Sequence, residues 1–282
     1  LGGAAGVAYA AKHSHPASPM ISLDGSSRRQ PVRDTVEDTV QIAILLDTSS
    51  SMDGLINQAR GEMWGLVDQM SHKTREVDGK TRGVKLQLAL FEYGNDRIPA
   101  KDGYIRQVQP FTSDLDQVSA KLFSLMTDGG EEYVPEAIKT ASEQLQWSPD
   151  PNTLKFIYVA GNETFVQGPI APKDALAEAV GKDIHVQLIL CGEHEESWKD
   201  AAKLAGTDLM TIDQNAVAQD VPAPQDDQIL QLNAQLNGTY MGYGAEGQAA
   251  AQRQSSVDAM SLKISKKAAI ARVKAKAGKA AY

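Results

Sequence analysis

The chain has one cysteine, Cys191, so no internal disulfide can form. That thiol sits in the apolar run "HVQLILC", where a buried and inert side chain is expected rather than a reactive one. Aromatic residues make up only 6% of the chain, and no run of 18 apolar residues occurs, which leaves no candidate membrane span. There is no G-x-S-x-G elbow, no P-loop and no G-x-G-x-x-G turn. Positive charge is also scarce. The net charge of -8 argues against general nucleic-acid binding.

The positive charge that exists is concentrated at one end. Residues 245–282 hold eight lysines and arginines against two acids, a balance of +6. The rest of the chain holds 20 basic and 34 acidic residues, a balance of -14. The tail therefore reads as a segment of different character. Residues 1–35 form an N-terminal arm with little periodicity. Its opening "LGGAAGVAYAA" resembles the small-residue end of a secretory leader, so residues 1–11 read as a signal-peptide remnant.

Between these ends lies an alternation of apolar runs and amphipathic segments. "VQIAILLD", "LKFIYVAG" and "IHVQLILCG" are short and rich in β-branched residues, as buried parallel strands are. "VKLQLALFEYG" and "GYIRQVQPF" add two strands, and "DLMTID" an edge strand. Helical spacing runs through residues 55–70, 113–125, 135–147, 171–183 and 197–205, with Ser113 as the expected N-cap of the second. The order predicts an α/β fold: a doubly wound, mainly parallel sheet with helices on both faces, over residues 36–215. Residues 216–282 form a C-terminal helical extension. Its apolar positions are mostly alanine, so it has little with which to bury itself, and a solvated helix or docking arm is expected.

In such sheets ligands bind beyond the carboxyl ends of the strands, where the strand order reverses. The first strand ends in "DTSSSMDG", which places Asp47, Ser49 and Ser51 at alternate positions. A carboxylate and two hydroxyls are hard oxygen donors that suit Mg²⁺, Ca²⁺ or Mn²⁺ rather than zinc. The same residues have a purely structural use. Ser50 or Ser51 could cap the following helix, with Asp53 favoured at its positive end. "CGEHEESW" offers His194, Glu195 and Glu196 beside Cys191, but too few soft donors for a transition-metal site, and His194 reads as a solvated loop residue.

"DTSSSM" after an apolar strand resembles the metal-ion-dependent adhesion site, D-x-S-x-S, of von Willebrand factor type A domains. "FEYGND", "GYIRQV", "DGGEEYVPEAI", "VAGNETF", "IDQNAV" and "VPAPQDD" resemble a bacterial branch of that family whose members usually carry envelope leaders. The resemblance implies that Ser49 and Ser51 ligate a divalent cation directly and Asp47 through water. It departs from the family twice. The family's Gly-Gly-Thr loop is Gly129-Gly130-Glu131-Glu132 here, so a carboxylate replaces a hydroxyl. Aligning the glycines selects Glu131; aligning Glu136-Ala137 selects Glu132. The family's aspartate at the end of a later strand falls on Ala160, with Asn162 and Glu163 just beyond it.

The resemblance implies a non-enzymatic module for cation-dependent protein recognition or adhesion at the cell envelope, periplasmic or extracellular. There an acidic side chain of the partner completes the metal shell. Two other classes fit the chain: an assembly subunit that self-associates through its arm and tail, and an accessory subunit of an intracellular metal-insertion or ATPase complex.

Overall fold

The computed structural model describes residues 37–54, 56–58, 60, 64–65, 75–77, 80–192, 196–212 and 223–277. The expected arm and leader remnant, residues 213–217 of the "IDQNAV" run, His194 and Glu195 lie outside these residues.

The central strand β1 (Glu37–Asp47) is flanked by two parallel partners, β3 (Lys80–Tyr93) and β5 (Leu154–Gly161). Beyond β5 follow β6 (His185–Cys191) and β7 (Met210–Ile212), also parallel. Beyond β3 the pairing is antiparallel, with β2 (Arg75–Val77) along its start and β4 (Ile105–Thr112) along its end. The result is a seven-stranded sheet in the order β2-β3-β1-β5-β6-β7, with β4 on β3. The chain leaves β1 for β3 on one side and returns to β5 on the other, so the reversal of order falls at the carboxyl end of β1.

Successive side chains of a strand face opposite ways, and β1 supplies both layers of the core. Ala43 and Leu45 pack under α2 (Val134–Gln144), α3 (Pro172–Gly181) and α4 (Glu196–Ala205). Ile42 and Leu46 face the other way, towards Met52, Trp64 and α1 (Leu115–Ser124). The cap of α1 is Asp114, not the expected Ser113: its carboxylate accepts from the Asp116 and Gln117 backbone amides, each at 3.1 Å. An aspartate serves as well as a serine in this role, and its position one residue later satisfies two of the unpaired amides of the first turn.

The tail departs from expectation in a larger way. Three helices, α5 (Asp226–Thr239), α6 (Gly244–Ile264) and α7 (Lys266–Ala277), follow the sheet. The last two contribute Val257 and Ala275 to the second core layer. The side chain that most firmly joins the tail to the domain is a charged one. Arg272 is 1% exposed. It bonds to Asp116 of α1 at 3.0 Å and to Asp258 of α6 at 2.9 Å, and its guanidinium lies 4.2 Å from the ring centroid of buried Trp64. Lys276 bonds to Asp258 at 2.6 Å, and Arg253 to Asp114 at 3.0 Å.

Burial pushes the Asp258 carboxyl up, but the Lys276 hydrogen bond and the Arg272 charge outweigh it and hold the group below its ordinary value. At Asp116 burial wins, and the group is raised despite the facing guanidinium. A pattern of apolar positions cannot register a helix that is buried through its cations, which is why the tail reads from sequence as solvated.

Removing one partner of a buried ion cluster strands the others, at a cost of about 3–5 kcal/mol. Arg272→Ala is therefore expected to lower the unfolding free energy by about that amount, read from the urea midpoint. Lys263→Ala, at an exposed position of α6, is expected to shift it by less than about 0.5 kcal/mol.

Candidate metal centre

Asp47, the last residue of β1, is fully buried. The backbone turns sharply after it. The Thr48 amide donates to the Tyr93 carbonyl at 2.8 Å, extending the pairing with β3, and the Ser49 amide donates to Asp47 Oδ1 at 2.7 Å. Ser49 is still extended (φ -63°, ψ 164°) before one 3-10 turn over Ser50–Met52, and its side chain makes no capping hydrogen bond. The hydroxyl faces that of Ser51 instead, at 3.0 Å, and Ser51 Oγ donates to Asn162 Oδ1 at 3.2 Å. The turn thus brings two hydroxyls and an amide oxygen into one place without using Ser49 as a cap.

The second carboxylate comes from the loop after α1. Glu132 is 5% exposed and lies against Asp47, whereas Glu131 is exposed. Of the two candidate registers, the geometry selects the one that places Glu132 beside the aspartate. Close approach of the loops requires glycine at two positions. Gly94 has φ +75°, and a Cβ there would lie 2.8 Å from Asp47 Oδ1 and 3.0 Å from Glu132 Cγ. A Cβ on Gly130 would lie 2.6 Å from the Gly94 carbonyl oxygen. Asn95, 2% exposed, ties the loops together by donating to the Thr48 carbonyl at 3.3 Å and to the Met126 carbonyl at 2.8 Å.

The end of β5 offers no carboxylate. Ala160 is buried, its carbonyl accepts from Tyr93 OH at 2.8 Å, and Tyr93 together with Trp198 fills the space beside Gly161. Asn162 faces the site, as its contact with Ser51 shows. Glu163 is exposed, yet its charge reaches both buried carboxylates and raises them. Cys191 is buried, and its thiol is pushed up to about 12 by burial and by the charge of Asp47, which suits the inert thiol expected from sequence.

Two carboxylates in a dry crevice cannot both ionise without a compensating cation. Burial pushes Asp47 up to about 6. Glu132 is pushed up to about 9, by burial first and then by the charge of Asp47. Asp47 Oδ2 is buried with no hydrogen-bond partner. An orphaned carboxylate oxygen beside a second carboxylate, with hydroxyls at hand, fits a hard divalent cation. Among the described residues no three His, Cys, Asp or Glu side chains cluster as metal ligands, so hydroxyl and amide oxygens are needed to complete such a shell. Sequence reasoning missed Tyr93, Gly94 and Asn95 as parts of the site. The signal was the Y-G-N run directly at the end of a predicted strand.

Fold and site together define an α/β domain with paired buried carboxylates at the switch point of a mainly parallel sheet. No family model matches the chain, and no curated protein matches it. Among solved structures it is similar to proximal thread matrix protein 1 from the mussel byssus, described with a zinc-occupied MIDAS motif (14% identity, 71% of this chain and 46% of that one, TM-score 0.48). It is similar also to the conserved hypothetical protein BatB from Bacteroides thetaiotaomicron (17%, 71% and 100%, TM-score 0.46). A third is the SpRpn10 VWA domain (16%, 74% and 98%, TM-score 0.42). The chain spans less than half the length of the byssus protein. With identities below 25% and TM-scores below 0.5, these likenesses add nothing to what the geometry shows.

A carboxyl raised by folding binds its proton more tightly in the folded chain than in the unfolded one, so stability falls as pH rises between the two values. In chelator the melting temperature is expected to fall between about pH 4 and pH 9. Glu132→Gln should flatten this dependence, and saturating Mg²⁺ should abolish it. Thermal denaturation followed by circular dichroism checks all three.

Proposed function

We propose that this chain is a divalent-cation-dependent protein-recognition module that carries out no chemical step. The observation that carries the reading is the buried, unpartnered Oδ2 of Asp47 against the second buried carboxylate of Glu132. Asp47, Ser49, Ser51 and Glu132 would hold the cation, with Asn162 beside them. Glu131 is exposed, and buried Glu132 takes the place beside Asp47 in this reading. Mg²⁺, Ca²⁺ and Mn²⁺ all suit oxygen donors, and the second carboxylate favours Ca²⁺. The serine hydroxyls bond to each other and to Asn162, and Ser49 also reaches the carboxyls of Asp47 and Glu132, so hydroxyls and carboxylates form one cluster of oxygens, which supports a cation-binding role. The bacterial envelope location belongs to the same proposal and rests on the sequence resemblance. No helix among the described residues is long and apolar enough to cross a membrane.

The acidic ligand expected from sequence is not carried forward. A site with one carboxylate leaves a divalent cation with positive charge to offer. Asp47 and Glu132 together would cancel it. Self-association is favoured by one observation: α5 buries no residue and exposes Leu232, Leu236 and the following Tyr240 and Tyr243.

Calorimetric titration of the chelated protein with each cation tests the main reading. Saturable binding is expected in the wild type, its loss in Asp47→Ala/Ser49→Ala, and at least about tenfold weaker binding in Glu132→Gln. Absence of binding at millimolar cation would overturn it. Light scattering with and without chelator tests the second reading: a mass above the monomer that chelator leaves unchanged is expected if α5 mediates assembly.

A further inference from the structure

We infer that the carboxyl edge of the sheet docks a basic protein surface, one rich in lysine and arginine, rather than an acidic one. The inference rests on the proposed cation only for the charge at the centre of the face. Asp47 and Glu132 are both buried at that centre, and Asp47 Oδ2 lacks a partner. Without a cation the pair keeps a proton and carries one negative charge; with one bound, both carboxylates ionise. A divalent ion brings that centre to neutrality and no further.

The surroundings are acidic. Asp53, Asp96, Glu131 and Glu163 are exposed on the loops that frame the site. Their placement is fixed by contacts already described or close to them. Thr127 bonds to Asp53, the Asp96 amide meets the Gly129 carbonyl, Glu131 precedes Glu132, and the charge of Glu163 reaches both buried carboxylates. Arg97 bonds to Asp128 at 2.9 Å, exposed Lys101 lies next to Asp102, and the charge of Arg60 meets that of Asp53, so the described cations near these loops are outnumbered by Asp53, Asp96, Asp102, Asp128, Glu131 and Glu163. The potential over the face is therefore negative with the cation bound and more negative without it.

Two exposed apolar side chains stand in the same loops, Met126 at 61% and Val166 at 60% exposure. Long basic side chains lay their methylene stems on such surfaces while their charged ends meet carboxylates. An acidic partner would find no residual positive charge at the centre and a rim whose balance is negative.

The test uses the full chain and two peptide probes of equal length, one of lysine and alanine, the other of glutamate and alanine. Fluorescence anisotropy is read in Mg²⁺ and in chelator, at about 0.01 M and 0.15 M salt. The rim variant D53N/D96N/E131Q/E163Q is compared with D150N/D183N/D208N/E246Q, which removes the same charge elsewhere. Calorimetry with Mg²⁺ is run on the same samples.

The lysine peptide is expected to bind in both conditions and to weaken with salt. The rim variant should lose at least about tenfold in affinity, and the control variant less than about twofold. Preference for the glutamate peptide in Mg²⁺, lost in chelator, would overturn the inference and leave the cation reading intact. Equal loss in the two variants, or no binding of either peptide, would also overturn it. Rim-dependent lysine binding without any Mg²⁺ binding would support the basic partner while removing the cation.

Discussion

The constraint on which the structure turns is the burial of two carboxylates, side by side, at the end of the central strand. Asp47 reaches that position because β1 is flanked on both sides by parallel partners and ends where the strand order reverses. Glu132 reaches it because the loop after α1 presses onto Gly94 with no side chain between them. Everything near the site serves this approach. Gly94 and Gly130 remove the atoms that would hold the loops apart, and Asn95 stitches them with hydrogen bonds that a smaller side chain could not make.

The same protein contains a second buried charge cluster, and the contrast between the two is informative. Under the tail, Arg272 and Lys276 meet Asp116 and Asp258, two cations against two anions. That cluster is closed, and its role is to fasten α7 to α1. At the sheet edge, among the described residues, Asp47 and Glu132 stand without an ion pair to a cation. Buried charges are ordinarily paired. A fold that balances one cluster with its own cations and leaves the other to share a proton has room at the second for a cation from outside.

Much of this was legible in the residues. The apolar runs gave the strands, and the position of Asp47 at the end of the first gave the site, because strand burial and the switch-point rule depend on local pattern alone. The D-x-S-x-S spacing pointed to the oxygens that the turn after β1 brings together. The sequence could not decide between Glu131 and Glu132, since that depends on how the loop after α1 lies against Gly94, a contact across 38 positions. Ser113 and Asp114 were equally good caps by chemistry, and only the backbone path chose between them. The tail was misread because burial was sought in apolar residues, while Arg272 is buried by its counter-charges and by the face of Trp64.

The two departures from the resembled pattern act together. The resembled pattern has its carboxylate at the position of Ala160, at the end of a strand, where the sheet itself would hold it. The carboxylate gained at Glu132 sits on a loop. Its position therefore depends on what anchors that loop: Asn95, the Gln167 side chain that accepts from the Glu132 amide at 3.2 Å, α1 before the loop and α2 two residues after Glu132. α1 in turn is held by its cap, Asp114, and by Asp116, and both carboxylates take an arginine from the tail. Trp64 is stacked against Arg272 and lies on the segment that follows the serines. The second carboxylate is thus held from both ends of its loop: through α2, which packs on the sheet, and through α1, which the arginines of the tail grip from outside.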